Sequence, residues 1–138
     1  MSDLRSAVRE ATARLAAAGI GSPEADAIAL AAHALGTSVA QVRKAMVLGA
    51  AEPPTYRSLV DERADRVPLQ HLTGQTGFRR LTLSVGPGVF VPRPETEVVA
   101  GLAVEAAATL EAPVVVDLCT GSGAIALAIK DEVPQAIV

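Results

Sequence analysis

The first 66 residues alternate between stretches of apolar residues at helical spacing and single glycines. In the first stretch, apolar residues recur three or four positions apart, at Leu4, Ala7, Val8, Ala11, Leu15 and Ala18. Ser2 or Asp3 stands before this stretch as a capping residue, and Gly19 follows it as a stop signal. The pattern predicts an amphipathic helix that buries one face.

Three further helices are predicted by their start and stop signals. Residues 22–24 combine a capping hydroxyl, a proline and an acid, and the helix that they open runs to Gly36. Ser38 and Gln41 have the spacing of a capping box at the start of a third helix. A fourth helix follows the two prolines at residues 53–54. Four short helices with short connections predict a small helical bundle.

Beyond about residue 67 the pattern changes from helical spacing to alternation. Leu81, Leu83 and Val85 alternate with polar residues, which predicts a strand that faces a core on one side. The Gly-Pro-Gly sequence at residues 86–88 predicts a turn, and residues 89–91 are predicted as the returning strand of a β-hairpin. We place a domain boundary between residues 66 and 74.

The last third of the chain has the pattern of an α/β protein. Residues 92–97 open a predicted helix, and the apolar run at residues 113–116 predicts a strand buried on both faces of a parallel sheet. A glycine-bearing loop, residues 117–123, follows that run, and a helix is predicted from Ala124. The carboxyl end of a parallel strand, next to the start of a helix, is where such sheets bind ligands.

The loop admits three interpretations. Gly121 and Gly123 occur in many turns between a strand and a helix, and with Ala126 they also satisfy a dinucleotide-binding pattern. Asp117 disfavours a dinucleotide, because a carboxylate at this position would repel the pyrophosphate. It suits an ammonium group, such as the one in S-adenosylmethionine. We therefore favour an S-adenosylmethionine site over a dinucleotide site or a purely structural turn.

Composition and charge narrow the class of protein further. The net charge is −3 and the charges are interspersed, so no basic surface for direct nucleic-acid binding is indicated. The single cysteine, Cys119, fits a reducing compartment. The first ten residues contain no apolar signal core, and no apolar run approaches the roughly 20 residues that span a bilayer. We expect a cytoplasmic protein without a membrane segment. His33 and His71 lack ligand-like neighbours, so no metal site is predicted.

Several segments together resemble one enzyme family. Residues 115–128 are similar to the first motif of Rossmann-like methyltransferases. Residues 68–74, Phe78 and residues 87–97 narrow the resemblance to the HemK/PrmC family of release-factor glutamine N5-methyltransferases. In that family, the position of Cys119 is commonly a glycine.

The resemblance implies a fold, a cofactor, a partner and a set of site residues. It implies a helical substrate-recognition bundle at residues 1–67, a β-hairpin linker at residues 68–94 and the start of a Rossmann-like methyltransferase domain at residues 95–138. The implied cofactor is S-adenosylmethionine, and the implied protein substrates are class I peptide chain release factors, at the glutamine of their Gly-Gly-Gln motif. The cofactor-binding residues expected from it are Phe90, Arg93, Asp117, Cys119, Thr120, Gly121, Ser122 and Gly123.

No catalytic residue is predicted within the 138 residues. The family receives the glutamine amide with an Asn-Pro-Pro-Tyr motif, and this chain has no asparagine. We expect that motif beyond Val138, so that this chain alone is inactive and can self-associate, whereas the parent enzyme is a monomer. Two other classes stay open, namely a helical interaction module that binds release factor without a cofactor, and a related N-methyltransferase that acts on nucleic acid.

Overall fold

The computed structural model describes residues 3–138, which form two compact units. The first unit ends at Thr73, and the second comprises Gly74–Val138. Ser2, one of the two residues predicted to cap the first helix, lies outside the described residues. No helix within residues 3–138 is long and apolar enough to cross a membrane.

The first unit is helical, as predicted. Its helices are α1 (Leu4–Ala17), α2 (Pro23–Leu35), α3 (Val39–Val47), α4 (Tyr56–Ala64) and the short α5 (Leu69–Thr73). The first four correspond to the four stretches of apolar residues at helical spacing. The fifth lies in the segment assigned to the linker, where no helix was predicted.

Helix starts in this unit follow local capping chemistry. The carboxylate of Asp3 accepts the backbone N–H of Ser6 at 2.9 Å, and this hydrogen bond lowers the pKa of Asp3. Ser38 and Gln41 form the predicted capping box. Ser22 precedes α2, but its side chain makes no capping hydrogen bond, which corrects the prediction. Its backbone ψ is 60°, away from the extended conformation in which capping side chains reach the first turn.

The core of the first unit surrounds one tyrosine. Tyr56 is 1% exposed, and its hydroxyl donates to the carbonyl oxygen of Ala27 at 3.0 Å, which satisfies the polar end of a buried ring. Burial raises the pKa of Tyr56. The buried residues around it come from the apolar faces of the helices: Leu4, Ala7, Val8, Ala11, Leu15, Ile20, Ala27, Ile28, Leu30, Ala31, Ala32, Val42 and Val60.

A buried ion pair joins α2 to α4. The Nε atom of Arg63 lies 2.7 Å from Oδ2 of Asp26, and both side chains are largely buried. The same guanidinium donates to the carbonyl oxygen of Val67 at 2.9 Å. Asp26 is the one buried charged residue in the part of the chain that the structure describes.

The second unit contains a two-stranded antiparallel hairpin and two longer helices. The elements are β1 (Gln75–Phe78), β2 (Leu81–Ser84), α6 (Thr96–Ala108) and α7 (Ala124–Glu132). In the hairpin, Phe78 pairs with Leu81, so Arg79 and Arg80 form the turn. The two helices begin within the segments predicted to open them.

The predicted partner of β2 is wrong. Residues 89–91 form no strand, and β2 pairs with β1 instead. The N–H of Val89 donates to the carbonyl oxygen of Gly86 at 3.1 Å in a tight turn. Prolines at positions 87, 92 and 94 supply no N–H groups for a ladder in this segment.

The predicted buried strand at residues 113–116 forms only one parallel bridge, between Val114 and Ile137. Val115 is partly buried against α6 and α7, whereas Val114 and Val116 are 70% and 75% exposed. The prediction of burial on both faces is therefore wrong for the described residues. Successive side chains of an extended segment point to opposite faces, and here helices cover only one of them.

Arg79, at the hairpin turn, binds both longer helices of the second unit. Its Nε and NH2 donate to the two carboxylate oxygens of Glu132 at 2.5 and 2.8 Å. Its backbone N–H donates to the side chain of Glu97 at 3.1 Å, and its NH1 donates to the carbonyl oxygen of Glu97 at 3.2 Å. The hydrogen bonds between the side chains of Arg79 and Glu132 raise the pKa of Arg79 and lower that of Glu132. Because the folded pKa of Glu132 is lowered, the contribution of the pair to stability is present above the ordinary pKa of a glutamate and is lost as the pH falls through the folded pKa.

The Asp26–Arg63 pair gives a stability prediction for the first unit. Arg63→Met leaves the Asp26 carboxylate buried without its partner, which we expect to cost about 3 kcal/mol of unfolding free energy. Urea unfolding can be followed by the fluorescence of Tyr56, the one tyrosine in the chain, which has no tryptophan.

Arg14→Met is the matched control, because it removes an ion pair to Asp61 whose two side chains are 56% and 50% exposed. We expect it to cost less than about 1 kcal/mol. Equal costs for the two variants would contradict the importance of the buried pair.

Candidate functional site

The loop at residues 117–123 connects the extended segment at residues 113–116 to α7. Cys119, Gly121 and Gly123 all have positive φ, at +61°, +58° and +78°. A Cβ on either glycine would meet no atom closer than 3.5 Å within the described residues, so φ rather than crowding favours glycine there. The backbone of the loop is therefore folded by three residues in the left-handed region.

Hydrogen bonds within the loop hold the acid that ends the extended segment. The hydroxyl of Thr120 donates to Oδ2 of Asp117 at 2.8 Å. The N–H of Gly123 donates to the carbonyl oxygen of Thr120 at 2.9 Å, and the carbonyl oxygen of Gly123 accepts from Leu127 in the first turn of α7. Asp117 is half-buried, and Thr120 is exposed. The arrangement presents a fixed carboxylate beside the start of a helix.

The structure places the predicted site residues in two groups. Asp117, Cys119, Thr120, Gly121, Ser122 and Gly123 belong to the one loop. Phe90 is 91% exposed, so it buries almost no surface against that loop. Arg93 is exposed, and its carbonyl oxygen accepts the N–H of Thr96 at 3.0 Å where α6 begins. The role of every residue in both groups toward a cofactor stays a prediction.

The contacts of Arg79 with its acidic partners, Glu97 and Glu132, were not predicted from the sequence. A signal was present, because two arginines stand between apolar Phe78 and Leu81, as a two-residue turn stands between paired strands. The identity of the acids that Arg79 meets was not readable, since Glu132 lies 53 positions away in the chain.

The first unit carries a cleft of about 330 Å³ between α1 and α4. Its lining residues are Ala7, Glu10, Ala11, Arg14, Glu52, Tyr56, Arg57, Val60 and Asp61. Arg57 binds Glu52 at 2.8 Å, which raises the pKa of Arg57, and lies 3.6 Å from Glu10. The cleft thus has an apolar floor and a rim of paired charges. Among residues 3–138, no cluster of three or more histidine, cysteine or acidic side chains could hold a metal ion.

Comparison with known proteins identifies the class to which this fold and loop belong. The family model described as the PrmC N-terminal domain matches residues 6–74. A protein of Mycolicibacterium smegmatis named release factor glutamine methyltransferase is 49% identical over 139 aligned positions, which cover 99% of this chain and 48% of the relative. A protein of the same name from Streptomyces coelicolor is 50% identical over 98% of this chain and 48% of its own length. One from Deinococcus radiodurans is 43% identical over 96% of this chain and 49% of its own length.

The chain belongs to the PrmC family of release factor glutamine methyltransferases. It spans about half the length of the curated relatives that it matches.

The backbone of Cys119 gives a prediction that is independent of any ligand. A residue with a side chain at φ +61° is strained by about 1–3 kcal/mol, which glycine relieves at a smaller entropic cost of about 0.5–1 kcal/mol. We expect Cys119→Gly to stabilise the second unit by about 0.5–1 kcal/mol, measured by native-state hydrogen exchange of the α7 amides. Gly121→Ala should have the opposite sign. Destabilisation by Cys119→Gly would show that contacts of the cysteine side chain stabilise the second unit by more than the backbone strain destabilises it.

Proposed function

We propose that this chain is part of an S-adenosylmethionine-dependent methyltransferase that modifies the side-chain amide N5 of the glutamine in the Gly-Gly-Gln motif of class I release factors. The observation that carries the proposal is family membership along nearly the whole chain, with relatives named for release factor glutamine methylation. The particular donor, target motif and partner come from the resemblance of residues 68–130 to that family.

The loop supports the choice of cofactor. When bound, S-adenosylmethionine supplies a methyl group on a positively charged sulfur, next to an amino-acid end that carries an ammonium and a carboxylate. The carboxylate of Asp117 is suited to the ammonium, because one of its oxygens is already held by Thr120 and the other is not used in that bond. Gly121 and Gly123 keep side chains out of the space beside the loop. In this proposal Cys119, Ser122 and the backbone of the loop line the same end of the cofactor.

The extended segments around Val114 and Ile137 are proposed as neighbouring strands of a Rossmann-like parallel sheet. Their bridge is parallel and carries two hydrogen bonds, from Val115 to Ile137 and from Ile137 to Pro113. The exposed apolar side chains of Val114, Val116 and Leu118 are the face that helices on the other side of such a sheet would cover. The division into residues 1–67, 68–94 and 95–138 is retained as part of the proposal.

The helical unit is proposed to recognise the release factor. Its family model match supports this role, and the cleft between α1 and α4 offers mixed charges for a protein partner. Phe90 and Arg93 are proposed to border the cofactor and the entering glutamine, which fits their exposure. We further propose a cytoplasmic location, a monomeric parent enzyme and no direct contact with nucleic acid.

The reaction itself needs groups that these 138 residues do not supply. An amide nitrogen is a weak nucleophile, so an enzyme must orient it and accept its N–H bonds. No asparagine is present to do so, and no catalytic residue is assigned here. What the chain contributes in this proposal is the carboxylate and loop that hold the cofactor and the unit that holds the protein substrate.

The cofactor site is tested by Asp117→Ala in a version extended to the length of the relatives. Loss of a charge-assisted hydrogen bond should raise the dissociation constant for S-adenosylmethionine at least about tenfold, measured by calorimetry. An analogue without the amine should bind the unchanged protein and the variant equally.

Glu111→Ala is the matched control, because it removes the same charge from an exposed position a few residues earlier. It should leave both affinities unchanged. Equal losses for the cofactor and the amine-free analogue on Asp117→Ala would exclude the proposed ammonium contact. Absence of cofactor binding by the unchanged extended protein would favour an interaction module instead.

A further inference from the structure

The hairpin of the second unit contacts α7 at both ends. Ala124, Ala128 and Glu132 are spaced four residues apart, so they lie on one face of that helix. Ala124 and Ala128 are buried in one cluster with Phe78 and Leu83 of the hairpin strands. Glu132, at the other end of the helix, is held by the hairpin turn.

The contact at Glu132 is a two-point contact with defined geometry. Arg79 donates from Nε and NH2 to the two oxygens of the carboxylate, at 2.5 and 2.8 Å. Bidentate pairs of this kind fix orientation as well as distance. The Glu132 side chain is 7% exposed and that of Arg79 is 24% exposed, so the carboxylate is the more shielded partner of the pair.

Arg79 is itself fixed by α6. Its backbone N–H and its NH1 both bind Glu97, in the first turn of that helix. A Cβ on Gly101 would stand 3.0 Å from NH1, so the guanidinium lies directly against the helix where no side chain intervenes. The arginine therefore cannot shift freely to follow a displaced α7.

We propose that Arg79 is a positioning residue for the loop at residues 117–123, acting through α7 between the hairpin turn and Glu132. Helix α7 has nine residues and is about 13 Å long, short enough to behave as one rigid rod. Because Ala124 and Ala128 already pack in one cluster with the hairpin, holding the last turn as well fixes the direction of the helix axis, and this direction sets where Gly123 and the loop before it lie. The positioning follows from contacts within the second unit, whereas its value for cofactor binding rests on the proposed function.

Comparison with Arg80 shows whether the role of Arg79 depends on its two-point contact or only on attraction between opposite charges. Its Nε lies 3.8 Å from Glu132, and its side chain is 72% exposed. It carries the same charge at the next position of the turn but lacks the two-point contact. Arg80→Gln is therefore the matched control for Arg79→Gln.

The test compares backbone amide signals of residues 121–123 by nuclear magnetic resonance in this chain and its variants. Arg79→Gln and Glu132→Gln remove the same contact from its two sides, and both should shift the loop signals in the same direction. Amide exchange of Ile129, buried in α7, should accelerate at least about tenfold in both. Arg80→Gln should change neither. Arg79→Lys keeps the charge but loses the two-point contact, so its loop shifts should lie between those of the unchanged chain and those of Arg79→Gln.

The outcomes separate this inference from the proposed function. The positioning role would be overturned if the loop signals stay in place in Glu132→Gln and Arg79→Lys and changes are confined to the hairpin turn. This outcome can be read even if Arg79→Gln fails to fold. Equal effects of Arg79→Gln and Arg80→Gln would overturn it too. Titration with S-adenosylmethionine is the separate arm. Displaced loop signals in the variants, together with no cofactor-induced shifts at residues 121–123 of the unchanged protein extended to the length of the relatives, would support positioning and count against the proposed cofactor site.

Discussion

The arrangement of the second unit depends on one guanidinium at a hairpin turn. Arg79 bonds to Glu132 at the end of α7 and to Glu97 at the start of α6, while the strands beside it bury Phe78 and Leu83 against the same helices. A two-stranded hairpin is marginally stable by itself, so its packing on two helices stabilises all three elements together. The loop with Asp117 therefore takes its position from contacts made at the other end of the helix that follows it.

Features with local causes were predictable from the sequence. The capping box of Ser38 and Gln41 and the helix that begins at Ala124 depend on residues within one turn of each other, and both are present. The positive φ of Gly121 and Gly123 follows the same logic, because glycine is the residue that adopts this conformation without strain. The family was also predictable, since short motifs around Pro68, the Pro-Arg pair and the glycine loop carry the resemblance.

Features with distant causes were not predictable from local patterns. Alternating residues at 81–85 indicate a strand but do not identify its partner, and β1 competes successfully because the segment at 89–91 is bounded by prolines. The apolar run at residues 113–116 indicates burial, but burial requires layers on both faces, and the described residues supply one. The contact of Arg79 with Glu132 spans 53 positions, so no local pattern encodes it.

The central claim is that this chain belongs to the part of a methyltransferase that holds cofactor and release factor. It is tested most directly by incubating a version extended to the length of the relatives with methyl-labelled S-adenosylmethionine and purified release factor, and locating the label by mass spectrometry. We predict one methyl group on the glutamine of the Gly-Gly-Gln motif, none when that glutamine is replaced by alanine, and none with the 138-residue chain alone. Label that persists after the replacement, or turnover by the 138-residue chain comparable to that of the extended protein, would contradict the claim.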